Sequence, residues 1–298
     1  NIMRSILLFL SFTFVLALTA HAQEKNHKTL KTSGYAPVNG LKLYYEVHGE
    51  GKPLVLIHGS YMTIGLNWTE LIPELAKNRK IIALELQGHG HTADIDRPIT
   101  YAALASDVAG LLRHLKIDSA DVLGYSLGGT VAYQLAIDHP KLIRKIVLVS
   151  TTFRMKGWLP ELVAAFQTFQ PEIFDQTPLK KFYEEVAPDP KHWKAFVSKY
   201  MEFDRHDFDL GADKIKGIKS PILFIMGDND GIVPSHKTEM YELAGGGNVL
   251  ADMKGLPRSQ FATYPGNTHV TLIKNTKRIA EDVSYFLDNE PKAEPPSF

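Results

Sequence analysis

Cysteine is absent from this chain of 298 residues. That excludes disulfides, thiolate metal sites, a cysteine nucleophile and a lipid-modified cysteine anchor. An excess of either charge is also missing, since 33 basic and 33 acidic residues cancel. Such a balance offers no electrostatic surface for nucleic acid. No internal repeat is visible. The almost purely apolar run Ile6 to Leu18 falls short of a comfortable membrane span.

That run has another reading. Met3-Arg4 supplies a positive start, and Ala20-His21-Ala22 puts small residues where a signal peptidase reads. We expect residues 1–22 to be a signal peptide cleaved before Gln23. The mature protein is then periplasmic or secreted in a bacterium, with no stable membrane anchor. Nothing accounts for Asn1 and Ile2 ahead of Met3. An exported chain without disulfides must rely on its core. With 44% hydrophobic residues the composition is ordinary for a globular protein and can bury one.

Past a polar leader, Tyr35 to Val47 reads as a hairpin turning at Asn39-Gly40. Apolar strands follow at Pro53–Ile57, Lys80–Leu84, Ser119–Leu123, Lys145–Val149, Ile222–Met226 and Ser259–Tyr264. Helices are expected at Trp68–Leu75, from the cap Thr100 through Leu115, after Gly128, near His236–Leu243, and from Leu272 to Leu287. Strands alternating with helices mean a mostly parallel sheet, helices on both faces, in one α/β domain. The rhythm breaks over residues 152–219. That stretch is helical and aromatic, with Trp158, Phe166, Phe169, Phe174, Tyr183, Trp193, Phe196, Tyr200, Phe203 and Phe208 among others. It reads as a cap over the carboxyl ends of the strands, dividing a core of 23–151 and 220–289. Taken singly, each aromatic is a packing residue; as a group, some should line a pocket. The Pro-rich tail 290–298 is expected to be disordered.

Gly124-Tyr125-Ser126-Leu127-Gly128 lies where a buried strand becomes a helix. A serine there must make a sharp, strained turn, which a Cβ at Gly124 or Gly128 would crowd. Its hydroxyl is then held beside free N–H groups at a helix N-terminus. The pattern arises by chance in roughly one chain in ten of this length, so its context must carry it. Asp228 and Asp230 flank Asn229 after the strand at Ile222, and His269 follows another short strand. A hydroxyl needs a base, imidazole titrates near neutral pH, and a carboxylate must orient it.

On these motifs, from His58-Gly59 to His269, the chain resembles the capped α/β-hydrolases. The branch it is similar to contains serine-triad carboxylesterases, lactonases, cofactor-free haloperoxidases and C–C bond hydrolases. The resemblance implies Ser126 as nucleophile and His269 as base, and points to Asp230 as the acid, with Asp228 the alternative. It also implies an oxyanion hole from the N–H groups of Leu127 and Ser60, with Tyr61 less favoured than Ser60, and a bracing role for His58. No cofactor or metal is implied. Glu85, Gln87 and Thr92 depart from the family's usual loop, which weakens any substrate analogy. His89 and His91 read as plain loop residues. Asp204, His206, Asp207 and Asp209 read as a solvated turn.

The resulting expectation is a serine hydrolase of a small or medium apolar ester or lactone, its partners being that substrate and water. A haloperoxidase, perhydrolase or C–C bond hydrolase could run on the same triad. From another class, a receptor-like binding protein could keep the triad nearly idle. Ser126 in the elbow disfavours the dehalogenases and epoxide hydrolases of this fold, which attack with aspartate. Oligomeric state is unreadable.

Overall fold

A computed structural model describes residues 30–291. The expected signal peptide, and the tail from 292 onward, lie outside the described residues.

Eight strands form one sheet: β1 (Leu30–Val38), β2 (Leu41–His48), β3 (Lys52–Ile57), β4 (Arg79–Leu84), β5 (Ala120–Tyr125), β6 (Ile143–Val149), β7 (Ile222–Asn229) and β8 (Gln260–Thr268). Their spatial order is β1-β2-β4-β3-β5-β6-β7-β8. The pairs β1/β2 and β2/β4 are antiparallel, and all the others are parallel. Asn39 and Gly40 both have positive φ, 49° and 85°, as a tight hairpin turn between right-twisted strands requires.

Side chains alternate across the sheet, and two apolar layers result. Val55, Ile57, Ile82, Leu84, Val122, Ile146 and Leu148 face the helices Tyr101–His114 and Leu127–Asp138. Leu54, Leu56, Ile81, Ala83, Leu123, Val147 and Val149 face the short helices Ile64–Trp68 and Ile72–Leu75 and the last helix, Thr276–Asp288. Both faces being covered, Pro53–Ile57 of β3 and Ile146–Val149 of β6 read as continuous apolar runs. Thr100 caps its helix by accepting from Ala103 N–H at 3.1 Å.

Three helices expected from the sequence differ in extent. The stretch Trp68–Leu75 is two short helices, Ile64–Trp68 and Ile72–Leu75, the second with proline in its first turn. The closing helix is split: His269–Leu272 is a single capped turn, and Thr276–Asp288 follows after a break at Asn275. The helix near His236 begins earlier, at Pro234.

Between β6 and β7 the described chain contains no strand. The helices Pro160–Thr168, Pro178–Val186, Trp193–Arg205 and Ala212–Gly217 occupy it. Tyr183, Trp193, Phe196 and Tyr200 are buried, so several of the expected aromatics pack this layer onto the body. Others face a cavity, described below.

One regularity of the sheet matters for chemistry. His58, Glu85, Ser126, Ser150, Asp230 and His269 each occupy the position just past the end of a strand, β3 to β8 respectively. Six polar residues thereby converge at one edge.

Candidate active site

Ser126 is strained as the turn demands, with φ 53° and ψ −120°. The glycines around it are obligatory here. A Cβ on Gly124 would lie 2.2 Å from Gly128 O, and one on Gly128 would lie 2.1 Å from Ile57 O. Those are backbone atoms that cannot give way.

Ser126 Oγ lies 3.0 Å from His269 Nε2, and His269 Nδ1 lies 3.0 Å from Asp230 Oδ1. Asp230 is 1% exposed. Its other oxygen accepts from Ser150 Oγ at 2.8 Å and from Gly227 N–H at 2.9 Å. With His269 this buried carboxylate has three hydrogen-bond partners, and it accepts from each. Its partner nitrogen must then be Nδ1–H, which leaves Nε2 as an acceptor facing Ser126. His269 is held from behind as well. Tyr125 Oη donates to its backbone oxygen at 2.9 Å, and the two rings stack at 5.3 Å. Trp158 meets the His269 ring edge-on at 5.4 Å.

The alternative acid does something else. Asp228 is exposed and accepts from Gly266 N–H and Asn267 N–H, each at 2.9 Å. These bonds hold its carboxyl below the usual carboxylate range. It ties the end of β7 to the end of β8, just before His269.

In the loop after β3, the backbone donors are nearly all engaged. Gly59 N–H donates to Asn67 Oδ1 at 2.9 Å, Tyr61 N–H to His89 Nε2 at 3.0 Å, and Met62 N–H to Gly59 O at 3.3 Å. Among the described residues, Ser60 N–H alone of the four has no acceptor. Tyr61, at φ 63°, is therefore unavailable as an oxyanion donor. Leu127 N–H, at the start of its helix, is the second donor without an acceptor among the described residues.

His58 braces that loop, as the resemblance implies. Its Nε2 accepts from Leu86 N–H at 3.1 Å, so Nδ1–H donates to Gly59 O at 2.8 Å. His89 does likewise between Tyr61 N–H and Gln87 O. Burial lowers the pKa of both rings and keeps them neutral. His89 is thus more than a plain loop residue. His91 pairs with the buried Glu85 carboxylate at 2.9 Å.

The three departures from the family loop have structural work. Glu85 accepts from Ile64 N–H at 3.0 Å and His91 N–H at 2.6 Å. Gln87 Nε2 donates to Asp94 Oδ1 at 2.7 Å and Arg97 O at 3.1 Å. Thr92 Oγ1 donates to Glu85 O at 2.7 Å and accepts from Tyr44 N–H at 2.9 Å.

Beside the triad lies a cavity of about 600 Å³. Leu127 and Trp158 border it and link it to Ser126 and His269, and Tyr101, Phe166, Phe203 and Phe208 supply more of its wall. Asp204 corrects the sequence expectation. His206, Asp207 and Asp209 are exposed, but Asp204 is not in a solvated turn. It sits in the last turn of Trp193–Arg205, lines the cavity, and accepts from Tyr61 Oη at 3.1 Å. Phe196, Tyr200 and Asp204 are spaced by four, which places them on one helix face. That spacing was the available signal. Ser150 and the hydroxyl of Tyr125 were also missed. For Ser150 the signal was its place just past a buried strand.

The α/β-hydrolase fold family model matches residues 52–179. The chain is 36% identical over 268 residues to 2-hydroxymuconate semialdehyde hydrolase of Pseudomonas sp. (strain CF600), covering 83% of this chain and 91% of that one. It is 25% identical over 268 residues to pimeloyl-[acyl-carrier protein] methyl ester esterase of Yersinia enterocolitica, covering 82% and 97%. Among solved structures, the meta-cleavage product hydrolase from Pseudomonas fluorescens IP01 superimposes with a TM-score of 0.70 at 22% identity, covering 87% and 98%. With a shared fold and a relative 36% identical across nearly its whole length, the chain belongs to the α/β-hydrolase family.

Proposed function

We propose that this protein is a serine hydrolase that cleaves a carboxylic ester or lactone through an acyl-enzyme. The observation that carries the reading is the pair of 3.0 Å contacts linking Ser126, His269 and Asp230 beside two free N–H groups. As Ser126 Oγ bonds to the carbonyl carbon, its proton passes to His269 Nε2. The carbonyl oxygen takes the electron pair and is held by the N–H groups of Ser60 and Leu127. Asp230 stabilises the imidazolium. When the carbon–oxygen bond breaks, His269 returns its proton to the leaving alcohol. Water then gives a proton to His269 and its oxygen to the acyl carbon, and Ser126 leaves with the proton restored.

The pimeloyl methyl ester esterase similarity supports ester chemistry. The higher identity to 2-hydroxymuconate semialdehyde hydrolase favours a second reading, hydrolysis of a carbon–carbon bond in a carboxylate substrate. The cavity speaks against it. Its one lysine, Lys199, lies 2.9 Å from both oxygens of Asp94 and so offers little free charge to a substrate carboxylate.

A fluorophosphonate label followed by peptide mapping, with a p-nitrophenyl ester series, tests the proposal. We expect labelling at Ser126, turnover of short or medium esters, and a loss of at least about a thousandfold in Ser126→Ala and His269→Ala. A loss below about tenfold in either variant overturns the assignment.

A further inference from the structure

Tyr101, Trp158, Phe166, Phe203 and Phe208 give the cavity beside the triad several aromatic walls, yet a carboxyl group also lines it. Asp204 Oδ2 accepts from Tyr61 Oη, while Oδ1 accepts no hydrogen bond among the described residues. Burial pushes the pKa of this group up to about 7. A cavity with several aromatic walls and one unsatisfied carboxyl oxygen is poorly suited to an anion and well suited to a cation, whose presence draws the carboxyl into its charged form. Ring faces attract a positive nitrogen, and the carboxylate completes the charge pair.

The neighbouring charges have the same sense. Glu202 and Asp207 line the same cavity and are exposed. Lys199 is committed to Asp94 and also donates to Ile95 O at 2.8 Å. Arg205 donates to Phe169 O at 2.7 Å and pairs with Glu202 at 3.4 Å. The His206 ring meets Glu202 O at 2.7 Å on the exposed side. Tyr61 and Tyr101 are neutral, with burial holding both hydroxyls above their usual range.

We propose that Asp204 is a specificity residue that selects esters carrying a positively charged nitrogen in the group that fills this cavity. The inference rests on the ester-hydrolase reading and names its substrate class. The nitrogen sits against Tyr101, Trp158 and Phe203, with Asp204 Oδ1 as counter-ion. Esters with a carboxylate in that position are excluded by repulsion.

The test compares butyrylcholine with the uncharged isostere in which carbon replaces the quaternary nitrogen. The wild-type protein should favour the cationic ester in kcat/KM by at least about tenfold. In Asp204→Asn that ratio should fall by about tenfold or more. Equal use of both esters, or a ratio unchanged by the substitution, overturns the inference. Calorimetric titration of the wild-type protein with phenyltrimethylammonium chloride needs neither turnover nor a folded variant. Binding is expected, and its absence at millimolar ligand also overturns the inference. Turnover of the uncharged ester without a cationic preference sinks only this proposal. Failure of every ester together with no fluorophosphonate label sinks the ester reading, and the titration still decides the cation site.

Discussion

Asp230→Asn isolates the part of the site that is electrostatic instead of steric. The two side chains have the same shape, and the buried position is filled either way. The amide oxygen can keep the hydrogen bonds from Ser150 Oγ and Gly227 N–H, at 2.8 and 2.9 Å. The amide nitrogen then faces His269 Nδ1, now 3.0 Å from a donor instead of an acceptor. The ring answers by moving its proton to Nε2, so Nε2–H points at Ser126 Oγ and the base is lost. The imidazolium of the transition state also loses its counter-ion. We expect kcat to fall by about ten-thousandfold, or ~5 kcal/mol of transition-state stabilisation, with KM little changed. Stopped-flow ester hydrolysis and the rate of fluorophosphonate labelling measure this directly. Asp228→Asn is the matched control, because its carboxylate accepts from Gly266 and Asn267 N–H groups and makes no hydrogen bond to His269 among the described residues. It should change kcat by no more than about threefold. If Asp228→Asn proves the more damaging, or Asp230→Asn keeps a tenth of the rate, the assignment of the acid is wrong.

Three further outcomes follow from the same geometry. In Gly128→Ala the new Cβ would lie 2.1 Å from Ile57 O and 2.6 Å from His58 O, so β3 and the elbow must part. A loss of about 1–3 kcal/mol in chemical denaturation is expected, and wild-type stability would refute it. Acidification should destabilise the fold below pH ~6.5. Burial depresses the pKa values of His58, His89 and His236, so the unfolded chain takes up protons there that the native state does not. The raised pKa values of Asp204, His91 and Asp121 act in the opposite sense, but the fully buried His89 ring is held well below its ordinary value and, with His58 and His236, outweighs them. A melting temperature that rises from pH 7 to pH 5 would contradict this sum. Finally, His89→Leu leaves Tyr61 N–H buried without its acceptor and frees the loop that presents Ser60 N–H. kcat should drop by about a hundredfold with KM nearly constant, and His89→Gln, which can still accept, should recover part of it. An equal effect of the two substitutions would show that His89 only fills space.

The sheet was legible because buried parallel strands must be apolar on both faces. Val55, Val147 and Leu223 sit in unbroken hydrophobic runs that no loop would contain. Ser126 was legible because glycine at 124 and 128 has no other purpose at a strand–helix junction. Asp230 could be separated from Asp228 only through the family register, since the residue pattern puts a carboxylate on either side of Asn229. The hydrogen bonds that decide between them come from β6 and β8, distant in sequence. Asp204 was misjudged because its acidic neighbours 207 and 209 suggested a wet turn. The helix in fact runs to Arg205, and its buried face continues through Phe196 and Tyr200. The break at Asn275 had no reading in the sequence, since apolar residues continue on both sides of it.

The positions of the site residues explain why relatedness in this family speaks to chemistry before substrate. Ser126, Asp230 and His269 each stand one residue beyond a strand, so their separation is set by the hydrogen-bonded spacing of β5, β7 and β8. That spacing is a property of the sheet, and any sequence that builds the sheet inherits it. The oxyanion donors are backbone atoms, held by the strain at Ser126 and by the bracing of His58 and His89. None of this depends on what fills the cavity. The cavity wall comes chiefly from the helical segment between β6 and β7 and from the loop leading into the helix at Tyr101. Trp158 touches His269, and Phe196 and Tyr200 pack on His89, but none of these residues makes a hydrogen bond within the triad, so much of the wall can vary while the triad keeps its geometry. An identity of 36% to a hydrolase of a muconate semialdehyde is therefore compatible with a pocket of opposite charge preference. On the proposal made above, substrate choice lies with Asp204 and its aromatic neighbours, whereas the triad stands on the strand ends.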